Sequence, residues 1–407
     1  MRKSPIYKVL IWTLLLLNLF LLFMLNSVLT KPEYIPVDDF VRHWAAGKLF
    51  LSRNDPYSIA NIQVLQDQAT GPEARTEVIN TIYIPPWSML ILTPFAVFDY
   101  PVSRLAWLLF SIILLIISAE LLWKTYEGPP NKKWLSWIVV FTFSPTISVL
   151  EKGQTGCLVL LGLAGFLYFE KLKKYWLAGA FCALITIKPQ LVFLFWPAIL
   201  FWSIKRRDYT ILVSSGVTLL LASIIAVIID PEIFNQYLTN LRFYSPLLWA
   251  TPTIGGYLRH FIFGVEQFWP QYIGPIIGLV FFVYYWVKAR HTWSWAINTP
   301  DLVLASVITS LYSWTYDQVV ILVVVIKAWI HLIQIKKNIA WLLMAIFFLI
   351  QLLNLILHRY LDDFWFLWLA PATLIWYLAI LWVSSHSSKA YLYTRNRLDE
   401  QSFQVKS

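Results

Sequence analysis

The feature that most constrains this chain is a series of long apolar stretches separated by short clusters of lysine and arginine. A stretch of about 20 apolar residues crosses the hydrocarbon core of a bilayer as one helix. Hydrophobic residues make up 59% of the chain and charged residues 13%, whereas soluble domains carry about 25% charged residues. The composition therefore excludes a soluble enzyme, a nucleic-acid-binding protein and a secreted disulfide scaffold, and predicts an all-α polytopic membrane protein.

About twelve membrane crossings are predicted. They are the stretches 9–30, 103–123, 134–150, 154–170, 175–187, 190–204, 209–229, 270–287, 300–314, 317–335, 339–357 and 362–384. The first is too long for a signal peptide and no cleavage signature follows it, so we interpret it as a transmembrane helix. Cys157 and Cys182 lie inside apolar stretches, where cysteine usually acts as a small hydrophobic residue.

Positive charge predicts the orientation, because lysine and arginine collect in cytoplasmic loops. Arg2, Lys3 and Lys8 precede the first stretch. Further basic clusters occur at 124–133, 171–174, 205–207, 288–290 and 336–337. They explain the net charge of +10 without nucleic acid and predict a plasma-membrane protein with both termini in the cytoplasm. Residues 1–384 would form one membrane domain with outer loops at 31–82 and 230–269, followed by a polar cytoplasmic tail at 385–407.

Of three short apolar segments, only 84–98 is predicted not to make a full crossing. The segment 84–98 contains three prolines and is read as re-entrant or interfacial. The stretches 175–187 and 190–204 would form a hairpin whose outer turn holds Lys188. A lysine within the membrane costs about 2.5–3.5 kcal/mol on insertion scales. Water, a carboxylate such as Glu151, or an anionic ligand would offset that cost. Binding of a phosphate and snorkelling to the interface are the two alternatives for Lys188.

The first outer loop contains a predicted short amphipathic helix that would lie on the membrane. Apolar residues recur there at helical spacing from Phe40 to Leu51. Asp38 and Asp39 come just before this helix. Either carboxylate could cap the helix, or one could cap while the other takes a proton from a hydroxyl group.

Other polar residues mark turns at the predicted outer face. Asn54-Asp55-Pro56 is a turn signal. Gln154 opens an apolar helix, where its amide could bind a hydroxyl group. The turns 313–318, with Asp317, and 358–363 are also polar, and Arg359 beside His358 would suit an anionic headgroup. The stretch 252–260 offers further polar contacts.

Taken together, these motifs resemble glycosyltransferase family 87, whose members have the GT-C fold and use sugars carried on polyprenyl phosphate. The resemblance rests on motifs that follow one another in order along the chain. They are Asp39-Phe40, Ala45-Ala46-Gly47, Asn54-Asp55-Pro56-Tyr57, Tyr83-Ile84-Pro85-Pro86, Gly153-Gln154, Leu177-Ala178-Gly179 and Lys188-Pro189. Family members often carry a histidine near the Ser-Trp turn, whereas Asp317 stands close to that position here.

The resemblance implies an inverting transfer of a sugar, commonly mannose, at the outer face of the membrane. Asp39 would be the general base, with Asp38 as the alternative. Lys188, with Arg359 and His358, would bind the donor phosphate and stabilise the leaving group. The substrates would also contact a set of polar and aromatic side chains, namely His43, Tyr57, Gln154 and Asp317. The implied partners are a polyprenyl-phosphate sugar, a glycolipid or polysaccharide acceptor, and membrane lipids.

Two other functions are compatible with a polytopic membrane protein. A transporter or flippase of lipid-linked sugars would carry internal repeats and ionisable residues deep in several helices, whereas this chain concentrates polar groups at turns. A lipid-processing enzyme or a non-catalytic partner of a cell-wall complex is a third possibility. The acidic pair could bind a divalent metal, but no further ligands accompany it, so no cofactor is expected.

Overall fold

The computed structural model describes residues 39–70, 81–245, 249, 251–335 and 338–404, with side chains to residue 386. The predicted first transmembrane helix at 9–30, Asp38 and the basic pair at 336–337 lie outside these residues. Within them the chain is helical and contains no strand. The all-α prediction is therefore confirmed for the part of the chain that the structure describes.

Seventeen α-helices follow one another along the described residues. They are α1 Phe40–Leu51, α2 Ile59–Thr70, α3 Met89–Ala96, α4 Tyr100–Thr125, α5 Trp134–Thr142, α6 Ser144–Lys152, α7 Gly156–Lys171, α8 Tyr175–Ile185, α9 Phe195–Arg206, α10 Thr210–Ile229, α11 Ile233–Phe243, α12 Ile254–Leu258, α13 Ile273–Ala289, α14 Trp295–Ile308, α15 Leu322–Gln334, α16 Asn338–Leu357 and α17 Leu369–Gln404. Short 3-10 segments at Pro189–Val192 and Thr315–Ile321 matter for the site.

Six helical spans among the described residues are long and apolar enough to cross a membrane. They are Tyr100–Thr125, Thr210–Ile229, Trp269–Ala289, Thr315–Gln334, Asn338–Leu357 and Asp363–His386. The span Thr315–Gln334 is the most buried and forms the centre of the bundle. The bent pair α5–α6 raises the number to seven. About twelve crossings were predicted, and several of those stretches prove to be short helices, such as α8 with 11 residues and α14 with 14.

The predicted amphipathic helix exists as α1, but it does not lie as a free helix on the membrane surface. Nine of its 12 residues are buried in the protein, including His43. Gly47 explains how closely α1 packs, because a Cβ at this position would lie 2.8 Å from the Ala96 Cβ of α3. The interpretation as a surface-lying helix was wrong because its polar residues also find partners inside the protein.

Two helix breaks bring polar residues to one end of the bundle. The predicted crossing 134–150 is bent by 62° between α5 and α6, where Pro145 follows the extended backbone of Phe143. The Gln351 side chain accepts hydrogen bonds from the backbone N–H and the hydroxyl of Ser144 there, at 3.0 and 2.7 Å. The second break follows α8, because Pro189 disfavours helical backbone at Lys188.

The apolar segment 84–98 contains only a 3-10 turn and the eight-residue helix α3, with Pro94 inside it. At 1.5 Å per residue this helix is about 12 Å long, so it is too short to cross a bilayer. The second outer loop contains α11 and α12, and α17 continues through Gln404 into the predicted tail.

Candidate active site

Asp39 stands at the N-terminus of α1, but its side chain does not cap the helix. The carboxylate forms an ion pair with Arg42, one helical turn further on. Its Oδ2 accepts a hydrogen bond of 2.7 Å from Gln154 Nε2. The interpretation of Asp39 as a helix cap is therefore wrong, because the carboxylate points toward side chains of other elements and of the next turn.

The turn between α6 and α7 places Gln154 beside Asp39. Gly153 ends α6 in the left-handed region with φ of 63°, where a side chain is unfavourable. A Cβ at this position would lie 2.5 Å from the Phe40 Cβ. Trp107 Nε1 donates a hydrogen bond of 2.9 Å to the Gly153 carbonyl. Glycine is thus required both by the backbone conformation and by the close contact with α1.

Lys188 reaches the same place from the break after α8. Its Nζ donates a hydrogen bond of 2.8 Å to Gln154 Oε1 and one of 2.7 Å to Asp317 Oδ1. The ammonium also lies 5.0 Å from the centre of the Tyr316 ring. The sequence suggested Glu151 as one carboxylate able to offset the buried charge. That suggestion was wrong, since Glu151 is exposed and Asp317 is the partner.

Asp317 is held by the 3-10 segment that precedes α15. Its side chain is only 2% exposed, and its Oδ2 accepts a hydrogen bond of 3.1 Å from the Trp314 backbone N–H. A buried carboxylate needs such partners, because an unpaired charge is costly in a low-dielectric environment. The fold thus fixes Asp317 so that its other oxygen faces Lys188.

These contacts form a continuous chain of hydrogen bonds, Asp39–Gln154–Lys188–Asp317, which we call the polar chain. Its successive members are 115, 34 and 129 positions apart in the sequence. All four were predicted as site residues, and the fold brings them together at one end of the bundle. A carboxylate and an ammonium thus lie on opposite sides of one amide.

His43 adds a neutral imidazole next to the polar chain. Its Nδ1 lies 2.8 Å from the Asp39 carbonyl oxygen, so Nδ1 must carry the proton because a carbonyl only accepts. Burial, followed by the charges of Arg42 and Lys188, lowers the pKa of His43 to about 3. The ring is therefore neutral near pH 7, and its Nε2 carries a lone pair that can accept a hydrogen bond.

The structure gives Tyr57 an anchoring role. It is 3% exposed, and its hydroxyl donates a hydrogen bond of 3.0 Å to the Ile84 carbonyl. The Asp55 carboxylate accepts from the Tyr57 backbone N–H at 2.8 Å, as expected for the predicted turn. Tyr57 thus ties the first loop to residues 83–86. These contacts do not support the prediction that Tyr57 contacts the substrate.

His358 and Arg359 lie on a turn that packs against the segment before Asp317. The Asp363 carboxylate accepts a hydrogen bond of 2.9 Å from the Thr315 backbone N–H and lies 3.5 Å from His358 Nε2. Burial lowers the pKa of His358 to about 4, so this ring is neutral near pH 7 and supplies no positive charge for a phosphate. Arg359 is exposed on the same turn.

Two arginines of the site were missed by sequence reasoning. Arg42 pairs with Asp39, and its spacing of three residues on a predicted helix was the available signal. Arg104 is 4% exposed and donates hydrogen bonds of 2.8 and 2.9 Å to the carbonyls of Leu150 and Glu151. It bonds carbonyls at the end of α6 and so supports the turn that carries Gln154. A single arginine near the start of a long apolar stretch gave no hint of this contact.

Across the described ranges, no group of three or more histidine, cysteine, aspartate and glutamate side chains is arranged to hold a metal ion. Cys157 and Cys182 are buried free thiols. The polar chain is instead built from alternating acceptors and donors, so each charge is balanced by a protein neighbour. Such an arrangement suits recognition of a polar ligand by hydrogen bonds.

Long apolar helices with the polar chain at their turns define an integral membrane protein with a candidate active site. The model of glycosyltransferase family 87 matches residues 83–313, which is more than half of the chain. The chain therefore belongs to glycosyltransferase family 87, as its motifs predicted, and is a glycosyltransferase rather than a transporter. No curated protein and no solved structure matches it. The matched region includes Gln154 and Lys188, whereas Asp39 and Asp317 lie outside it.

Proposed function

We propose that this protein is an inverting glycosyltransferase that moves a sugar from a polyprenyl-phosphate donor to a hydroxyl group of a lipid or polysaccharide. The sugar proposed is mannose. The proposal places the polar chain at the outer face of the plasma membrane, both termini in the cytoplasm, and the helices in a GT-C-type arrangement with about twelve crossings. The observation that supports it best is the polar chain, which holds a carboxylate and an ammonium on one amide.

Asp39 is the proposed general base. Each carboxylate oxygen has two lone pairs, and the bonds from Arg42 and Gln154 leave capacity for a substrate hydroxyl. The acceptor oxygen attacks the anomeric carbon while its proton passes to Asp39. The bond between that carbon and the donor phosphate oxygen breaks on the opposite face, so the configuration inverts. His43 Nε2 offers a further acceptor for a sugar or acceptor hydroxyl beside the base.

Lys188 is the proposed phosphate-binding residue. An ammonium has three N–H donors, and the described contacts use two of them, to Gln154 and Asp317. The third donor is available to a phosphate oxygen without breaking the polar chain. The polyprenyl phosphate leaves with an additional negative charge, and a preorganised cation stabilises that charge in a water-poor site. The base and this cation lie at most roughly 8 Å apart, on either side of the Gln154 amide. A sugar bound beside the amide therefore reaches both.

The test is transfer of labelled mannose from polyprenyl-phosphate mannose to acceptors in a membrane extract by the purified protein. Asp39→Asn keeps the size of the side chain but removes the base, so we expect transfer to fall by about 100-fold or more. Asp208→Asn is the matched control, because Asp208 lies after α9 and bonds the backbone N–H of Thr210. Robust transfer by Asp39→Asn would exclude Asp39 as the base. Wild-type protein that accepts no polyprenyl-phosphate sugar would refute the proposed donor.

A further inference from the structure

The amide of Gln154 can have only one orientation within the polar chain. The Lys188 ammonium only donates, so it must face the amide oxygen, as observed at 2.8 Å. The Asp39 carboxylate only accepts, so it must face the amide nitrogen, as observed at 2.7 Å. A reversed amide would place two donors together at one end and two acceptors at the other.

This orientation changes what Gln154 contributes to the site. The sequence suggested that its amide contacts substrate, but both of its polar atoms have charged protein partners and its residue is only 7% exposed. A hydrogen bond to the ionised form of a carboxyl group favours that form and lowers its pKa. The polarising cation at the other end of the amide strengthens this bond, because hydrogen bonds in a chain reinforce one another.

We infer that Gln154 is a positioning residue that couples the phosphate-binding lysine to the catalytic base. Lys188 fixes the amide orientation, and the amide in turn aims one oxygen of Asp39 and keeps the carboxyl ionised. The Arg42 guanidinium pairs with the other oxygen of Asp39 and also favours the ionised form. The amide adds to that effect, and its contribution depends on the cation at the Lys188 position. This inference rests on the proposed function for its catalytic meaning, but the link between the two residues is a property of the fold.

The sharpest variant is Gln154→Glu, which keeps the length of the side chain and an oxygen for Lys188. It replaces the N–H donor facing Asp39 by a second carboxyl group. A neighbouring negative charge disfavours ionisation, so the pKa of Asp39 rises. The acidic limb of the pH profile of kcat should move up by one pH unit or more, which lowers transfer about tenfold per unit at any pH on that limb.

Gln154→Leu tests the same link without an added charge. Loss of the hydrogen bond should also move the acidic limb upward, but by less than Gln154→Glu, with little change in the KM for the acceptor. In a Lys188→Met background the upward shift caused by Gln154→Leu should shrink, because the amide there has already lost the cation that orients it. Strictly additive effects of the two substitutions would contradict the coupling.

The chain contains a matched control for these variants. Gln63 Nε2 donates a hydrogen bond of 3.0 Å to Asp67 Oδ1 within α2, so Gln63→Glu places the same new carboxyl next to an aspartate away from the polar chain. We expect it to leave the pH profile unchanged. If Gln154→Glu changes only the KM for a substrate and leaves the acidic limb in place, Gln154 is a substrate contact and the inference is wrong.

A second measurement needs no substrate. A water-soluble carbodiimide labels protonated carboxyl groups, and mass spectrometry gives the pH at which Asp39 is half labelled. This pH should rise in Gln154→Glu and Gln154→Leu relative to the wild type and to Gln63→Glu. An unchanged labelling midpoint in folded variants overturns the inference even if the proposed donor is correct. A shifted midpoint in a protein without transfer activity would refute the donor alone.

Discussion

Lys188 and Lys327 both lie among the helices of this membrane protein, but the fold satisfies their charges in different ways. Lys188 stands at a helix break and bonds two side chains from distant segments, Gln154 and Asp317. Lys327 lies inside the continuous helix α15 and donates a hydrogen bond of 3.1 Å to the Ile297 backbone carbonyl. Its ammonium lies 5.8 Å from the Tyr126 ring centre.

The carboxylates near the two lysines also differ in their hydrogen-bond partners. Asp317 contacts Lys188 directly at 2.7 Å, whereas the Oδ2 of Asp301 accepts a hydrogen bond of 2.6 Å from the Tyr285 hydroxyl. Asn298 Nδ2 in turn donates to that hydroxyl at 2.9 Å. Lys327 is ten residues after Asp317 in the span Thr315–Gln334, or at least about 15 Å along it. A lysine held by side chains at a turn can exchange or add a ligand, whereas one held by backbone within a helix mainly stabilises packing.

The largest effect should separate the two lysines. Lys188→Met removes the ammonium but keeps most of the apolar volume, so we expect transfer to fall by about 100-fold or more, because removing one transition-state donor costs that much in other enzymes. Lys327→Met should change transfer less than about threefold. Labelled-sugar transfer at saturating donor checks both. Equal losses in two well-folded variants would show that charge in the bundle, rather than its place in the polar chain, governs activity.

The next effect concerns the α6–α7 turn, which places Gln154 in the polar chain. Gly153→Ala combines a left-handed backbone, which costs a residue with a Cβ about 1–2 kcal/mol, with the close contact to Phe40. We expect a loss of stability of about 2–4 kcal/mol, with overpacking as the second contribution, and a large loss of transfer as Asp39 is displaced. Thermal unfolding in detergent measures the first.

Gly216→Ala is the control for that prediction. Gly216 lies in α10, and apart from its chain neighbours and the backbone of its own helix no atom lies within 4 Å of the position that its Cβ would occupy. Alanine favours helix over glycine by about 0.5–1 kcal/mol, so this variant should be as stable as the wild type or slightly more. A Gly153→Ala protein with the melting temperature of the wild type would mean that the α6–α7 turn does not need its close contact with α1.

The sequence allowed the residues of the polar chain to be named, but not the contacts through which the fold assembles them. Charge is so scarce in this chain that Asp39, Lys188 and Asp317 could be named individually. Their bonds to one another could not be predicted, because they depend on the bends at Phe143 and Lys188, which proline signals mark only as breaks.

The all-α class of the fold was predicted correctly, but the lengths of several helices were not. Hydropathy identified the apolar stretches, but α8 and α14 are shorter than a crossing, and a sliding count of apolar residues does not show where a helix begins and ends. In the sequence alone, Asp39 fits the pattern of a helix cap as well as that of a general base, because it directly precedes a helix. The missing cap bond, the ion pair with Arg42 and the bond to Gln154, 115 positions away, exclude the cap, and none of them could be seen in the sequence.

The smallest predicted effect is the loss of folding stability at acidic pH that is caused by His43, next to the polar chain. The folded protein lowers the pKa of His43 to about 3, whereas an unfolded chain would protonate this ring near pH 6.5. The unfolded state therefore binds more protons below pH 6.5, and stability falls as the pH decreases from there. At pH 5.5 the loss from this one residue is about 1.4 kcal/mol. His43→Gln should remove that part of the decrease in melting temperature between pH 7 and pH 5.5. His291→Gln is the control, because His291 is exposed after α13 and its replacement should leave the decrease unchanged. A His43→Gln protein with the wild-type pH dependence would show that the ring is not held neutral beside Arg42 and Lys188. It would also show that the neighbourhood of the polar chain tolerates a new positive charge as well as the rest of the bundle does.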